Sequence, residues 1–228
     1  MRVLQGDPDI ALTLRRSARA RRMTLRVSRI DGRVTLTLPA RASEREALAF
    51  ARQKQDWIRA HLAEWDGNVS VVLGETIPVE GEMRRIVPGA GRSVQFGTGA
   101  LAVPGAEGRV PARVLGFLKT RARDRLAAAS DHYAARLGRS YCGISLRDTR
   151  SRWGSCSSAG RLMFSWRLIM APPPVLDYVA AHEVAHLAQM NHSPAFWAEV
   201  ARIHGPYDAP RAWLRREGNE LHRYRFGD

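Results

Sequence analysis

His182-Glu183-Val184-Ala185-His186 constrains this chain more than any other stretch. On a helix, residues four apart differ by about 40° in direction and about 6 Å in rise. His182 and His186 therefore project from one face and can share a metal ion. Glu183 borders that face, where its carboxylate reaches a water on the ion rather than the ion itself. Leu176, Val179, Ala180, Ala181 and Val184 make the segment apolar, as a buried helix requires. An unpaired glutamate buried there would be costly without a function. The stretch is predicted to be a metal-binding helix; a helix whose histidines are satisfied by backbone or solvent is the alternative.

This is the H-E-x-x-H arrangement of zinc hydrolases, in which imidazoles hold Zn2+ and an open position admits water. Zinc lowers the pKa of that water, and Glu183 is placed to take its proton and pass it to the leaving group. A third ligand is needed. On an uninterrupted helix His192 would lie about 9 Å beyond His186 along the axis, too far to bind the same ion. The helix must then end between Leu187 and Asn191, and Asn tolerates the left-handed conformation that ends helices. Ser193-Pro194 reads as the N-cap and first position of a new helix carrying Phe196, Trp197 and Val200. His192 falls at the corner and is the expected third ligand, with Glu199 and His204 as competitors.

The chain has 228 residues, 45% of them hydrophobic, enough for one large domain or two small ones. It contains no apolar run of about 18 residues, and its N-terminal segment lacks the apolar core of a signal peptide. A cytoplasmic, non-membrane location is the default expectation. Cys142 and Cys156 form no CxxC pair and cannot supply a disulfide framework or a cysteine zinc site. The formal net charge is +14, and Lys54 and Lys119 are the only lysines. That basic surface favours anionic partners, nucleic acid or nucleotides among them, although no recognisable binding module accompanies it. The densest basic stretch holds Arg15, Arg16, Arg19, Arg21 and Arg22.

Alternation predicts strands at Met23–Val27 and Val34–Leu38, joined by a turn at Asp31-Gly32. Ser43 and Glu46 form a capping box opening one long helix through Leu48, Phe50, Trp57, Ile58 and Leu62. Strands are expected at Ser70–Leu73 and Ile77–Glu80. A boundary is expected near residue 105, with "VPGAEGR", and a long helix from Val110 to Leu137 before Gly138. Ser157-Ser158-Ala159-Gly160 suits a hairpin turn leading to a strand through Leu162, Phe164, Trp166 and Leu168. Pro172-Pro173-Pro174 opens the histidine-bearing helix. The expected architecture is α+β: a β-rich subdomain with one long helix over 1–105, then a catalytic domain over 106–228.

The segment "RSRWGSCSSAGRLMFSWRLIMAPPPVLDYVAAHEVAHLAQMNHSPAFW" resembles the YgjP-like metallopeptidase domain, a relative of SprT-like and WLM zincins. The resemblance extends to "RRSARARRMTLRV", "DGRVTLTLP", the Trp57-Ile58 helix end and "PYDAPRAWL". It implies a zincin-like domain with the H-E-x-x-H helix beside a small antiparallel sheet, His182, His186 and His192 as metal ligands and Glu183 as general base. It also implies that the strand around Leu162–Leu168 lies beside the helix and aligns an extended peptide by strand addition. Ser165 stands where relatives commonly carry Asn. Metzincins share the histidine spacing but carry Gly at the position of Gln189, which argues against membership of that group.

Arg152, Trp153 and Gly154 are candidates for lining a substrate cleft, as is Ser165; packing of Trp153 under the sheet and a tight bend at Gly154 form the alternative. Tyr207 is placed to stabilise an oxyanion or to pack. The expected activity is a zinc peptidase acting on a peptide or protein. A nucleotide phosphoanhydride hydrolase on the same site, and a nucleic-acid-associated protein with a structural metal, are the competing expectations.

Overall fold

The computed structural model describes residues 2–6, 8–28, 31–63 and 67–227. They fall into two compact units, the first ending at Asn68 and the second starting at Val69. The first unit is a sheet of β1 (Arg2–Leu4), β2 (Ile10–Ser17), β3 (Thr24–Val27) and β4 (Val34–Pro39), in the order β1-β2-β4-β3. Its helical part is α1 (Glu44–Gln53) and α2 (Gln55–Ala63). Val34, Leu36 and Leu38 alternate inward from β4 and share a core with Leu12, Ala47, Ala51 and Ile58. The capping box at Ser43 forms as expected, with Glu46 returning a bond to the Ser43 amide at 2.9 Å. The turn between β3 and β4 includes Asp31 and Gly32, the latter at φ 64°; Arg29 and Ile30 lie outside the described residues.

The single helix expected after Ser43 is interrupted at Lys54 (φ −102°, ψ 15°). Amide bonds still run from Lys54 to Phe50 and from Ile58 to Lys54 across the break. Ala47, Ala51 and Ile58 all face the same core.

The second unit contains β5 (Val69–Ser70), β6 (Thr76–Val79), β7 (Glu82–Gly89), β8 (Gln95–Phe96) and β9 (Ala100–Pro104), then α3 (Val110–Leu137). Next come β10 (Gly143–Arg147), β11 (Gly154–Cys156), β12 (Arg161–Ser165), α4 (Pro173–Ala185), α5 (Pro194–His204), α6 (Asp208–Arg216) and β13 (Tyr224–Arg225). One sheet runs β6-β7-β9-β8, its first hairpin closed by Glu80-Gly81, both at positive φ. The boundary expected near residue 105 is corrected. Ile77, Val79, Ile86, Leu101 and Val103 share one core with Val110, Val114 and Leu118 of α3, so this sheet belongs to the second unit.

α3 runs as expected and ends on Gly138 in the left-handed region, φ 71°. Its buried Val110, Val114, Leu118, Ala122 and Leu126 recur every four residues, one stripe facing the core. The second sheet runs β10-β12-β11 and is mixed rather than antiparallel: β11 and β12 form a hairpin, while β10 joins β12 in parallel. Gly160 (φ 72°) closes that hairpin. β12 is therefore the interior strand, and β11 is the edge strand that packs against α4. The strand expected to continue to Leu168 stops at Ser165. Trp166–Met170 are all buried and wind into a 3-10 turn. Among the described residues, no helix is long and apolar enough to cross a membrane.

Arg167 ties this part together. Its guanidinium donates to Asp148 at 2.7 and 3.1 Å and to the carbonyls of Leu221 (2.8 Å) and Tyr224 (3.2 Å), joining the sheet to the C-terminal segment. His222 is buried beside it and stacks on Trp153, ring centres 5.2 Å apart. Burial, then the Arg167 charge, pushes His222 down to about 4 against the opposing pull of Asp148. The unfolded chain takes up this proton near pH 6.5, whereas the folded chain refuses it until about 4. Folding stability from this residue is therefore lost as pH falls through that window. Denaturant unfolding at pH 7 and pH 4.5 should show a smaller acid loss in His222→Phe than in the parent. An equal loss in both proteins would contradict this account.

Candidate metal centre

α4 holds His182 and Glu183 in its last turn, and His186 is its C-cap (φ −63°, ψ −19°). The expectation of a left-handed stop at Asn191 is corrected: Glu80 is the one non-glycine residue at positive φ among those described. The helix instead ends by tightening, with Leu187 bonding Val184 and Ala188 bonding Ala185. Ser193 caps α5 through the Phe196 amide, as expected, and His192 sits in the corner between the two helices.

That corner returns His192 to α4. One donor nitrogen from each of His182, His186 and His192 lies within 4.8 Å of the others. The Nε2 atoms of His182 and His192 face each other at 3.0 Å. Tetrahedral zinc, with bonds of about 2.0–2.1 Å to imidazole, sets its nitrogens about 3.3 Å apart, so three imidazoles in this arrangement fit such an ion. His186 Nδ1 is 2.9 Å from the Gln189 carbonyl, which can only accept; the hydrogen is on Nδ1 and the Nε2 lone pair is left for a metal. Gln189 thus serves the site through its backbone. His182 Nδ1 is buried and unpartnered among the described residues. Burial, with smaller contributions from His186, His192 and Arg211, pushes His182 down to about 3 and keeps it neutral, the form a metal ligand needs. Glu199 is engaged by Arg202 at 2.6 and 2.9 Å, and His204 packs against Tyr133 and Tyr178. Neither joins the three-histidine group.

Phe196 was legible in the sequence only as a core residue of α5. Fully buried, it lies 4.9, 4.4 and 4.8 Å, ring centre to ring centre, from His182, His186 and His192. It is a common floor for all three imidazoles. Trp197 flanks His182 and His192 at 5.6 and 5.8 Å. The Arg211 guanidinium, also unforeseen, lies 4.3 Å over Trp197.

Glu183 is 5% exposed, and burial pushes its carboxyl up to about 8, with Arg152 pulling it partly back. A dication on the neighbouring imidazoles favours its ionised form. Gly154 explains how the carboxylate fits. A Cβ at that position would lie 2.5 Å from Glu183 Oε1, 2.6 Å from Cγ and 2.7 Å from Cδ. Its φ is ordinary, so contact rather than backbone strain demands glycine.

Of the other candidates, Arg152 is exposed and acts on Glu183 through its charge. Trp153 packs on His222 and Gly218 of the C-terminal segment. Ser165 is fully buried with its hydroxyl unpartnered, and does not reach a cleft. Tyr207 stacks on Trp197 (5.3 Å) and Tyr178 (6.1 Å).

The sequence profile of the YgjP-like, metallopeptidase domain matches residues 21–217. The chain belongs to this family. The match spans both compact units, and YgjP-like membership supports a metal-dependent peptidase. The chain is also similar to the crystal structure of the metallopeptidase zymogen of Pyrococcus abyssi abylysin, at 21% identity and a TM-score of 0.36. The likeness covers 41% of this chain and 92% of that one, and is too slight to bear on the site. No curated protein matches the chain.

Gly154→Ala tests the close approach. Displacing a reacting group by about 1 Å costs about 100-fold in rate. The variant should still bind one equivalent of metal, with kcat down by about that factor and KM little changed. Wild-type kcat in folded Gly154→Ala would contradict the contact.

Proposed function

We propose that the chain is a zinc-dependent peptidase in which His182, His186 and His192 hold the ion and Glu183 is the general base. The observation that carries this reading is the convergence of three imidazole donors beside one buried carboxylate. The donor set supports zinc, since magnesium and calcium favour carboxylate and carbonyl oxygens. Arg202 holds Glu199, and His204 lies outside the three-histidine group, so among the described residues three protein donors leave a position open, as in catalytic rather than structural zinc sites. Zinc bound there would supply Lewis-acid polarisation of the scissile carbonyl and lower the pKa of water.

The chain's own residues do the rest. Glu183 takes a proton from the attacking water as the new C–O bond forms. It returns that proton to the amide nitrogen as the C–N bond breaks, and a carboxylate and an amine leave. Phe196 keeps the imidazoles in register and excludes water from their far side. β11 has no strand partner on its outer edge among the described residues and lies against α4, which supports seating of an extended peptide there. This replaces the strand around Leu162–Leu168 as the expected platform, because β12 is paired on both sides.

Glu183→Gln tests the reading. The variant should retain zinc and lose peptide turnover by about 10²–10⁴-fold, the usual contribution of a general base. Retained peptide cleavage would sink the mechanism. Zinc- and Glu183-dependent turnover of nucleoside triphosphates, with peptides untouched, would move the site to phosphoanhydride chemistry.

A further inference from the structure

Beyond the reacting groups, a cavity of about 370 Å³ opens beside His186, between the end of α4 and the β11–β12 hairpin. Leu187 and the 56% exposed Met190 give it an apolar wall, with Gly160 opposite. A Cβ on Gly160 would lie 3.5 Å from Leu187 Cδ2, so a larger residue there would narrow the space. Ser158 also lines it, as does the exposed Arg139 just past the end of α3. Among the described residues no carboxylate lines the cavity, and Arg139 has no carboxylate partner.

We propose that this cavity is the subsite for a substrate side chain flanking the scissile bond, and that it takes an acidic residue, glutamate before aspartate. The inference rests on the peptidase reading above and adds a substrate class to it. His186 forms part of the wall, so a side chain seated here belongs to a residue close to the metal centre. Its methylenes lie along Leu187 and Met190. Its carboxylate meets Arg139, the cation among the lining residues, in a charge-assisted hydrogen bond. Glutamate's second methylene uses the apolar wall that aspartate is too short to cover. A lysine in the same place would set its ammonium against Arg139. The chain's net charge of +14 draws acidic peptides in the same sense, but over the whole surface rather than at one position.

The test uses the full-length zinc-loaded protein and a peptide pool varied around the cleaved bond, read by mass spectrometry. The wild type should enrich glutamate at one position flanking the cut. Arg139→Glu should lower the ratio of kcat/KM for glutamate over lysine there by about tenfold or more, the worth of one charge-assisted contact. Arg139→Gln should lose the preference without inverting it. Arg41→Glu, an exposed position in the first unit, makes the same change in net charge and should leave the ratio unchanged. An unchanged ratio in Arg139→Glu, or an equal shift in Arg41→Glu, overturns the subsite while the peptidase reading stands. Cleavage of the pool by Glu183→Gln at the wild-type rate would overturn both.

Discussion

A helix advances 1.5 Å per residue, and continuing α4 to His192 would carry that imidazole about 9 Å past His186 along the axis. The stop at His186 removes that separation, and the rest of the site depends on it. The last amides tighten onto Val184 and Ala185, the chain reverses, and Ser193 starts α5 so that Phe196 comes to rest beneath all three imidazoles. One turn of chain thus supplies the third donor and the floor that steadies the other two. Gln189 contributes its carbonyl to His186 from inside the same turn, which ties the tautomer of the ligand to the backbone that ends the helix.

Burial keeps His182 neutral and raises the Glu183 carboxyl, and Arg211 adds a positive charge close enough to oppose protonation of His182. The neutral imidazoles leave lone pairs for a cation, and a dication there would favour the ionised form of Glu183, against the opposing charge of Arg211. The same burial makes Gly154 necessary. With the carboxylate pressed between α4 and β11, only a residue without a Cβ leaves it room.

Periodicity made much of the frame legible. Gly138 marked the end of α3, and Ser193-Pro194 foretold the start of α5. The helix stop was required by the ion, although its means were misread, since Asn191 stays out of the left-handed region. Contacts between distant residues were illegible. Nothing local to Gly154 announces Glu183 as its neighbour, and Phe196 is an ordinary apolar position until the corner at His192 exists. The boundary near residue 105 misled because "VPGAEGR" punctuates the chain within a core that runs on through it. Similarly, the alternation through Trp166 and Leu168 ran on past Ser165, where the chain leaves the sheet for a 3-10 turn.

X-ray absorption at the zinc edge, on loaded wild type and on His192→Ala, tests the three-imidazole centre most directly. The wild type should show three imidazole nitrogens and one further light ligand at about 2.0–2.1 Å, and His192→Ala should show two imidazoles. An imidazole count that does not change when His192 is removed, or a shell filled entirely by protein ligands, would contradict the account.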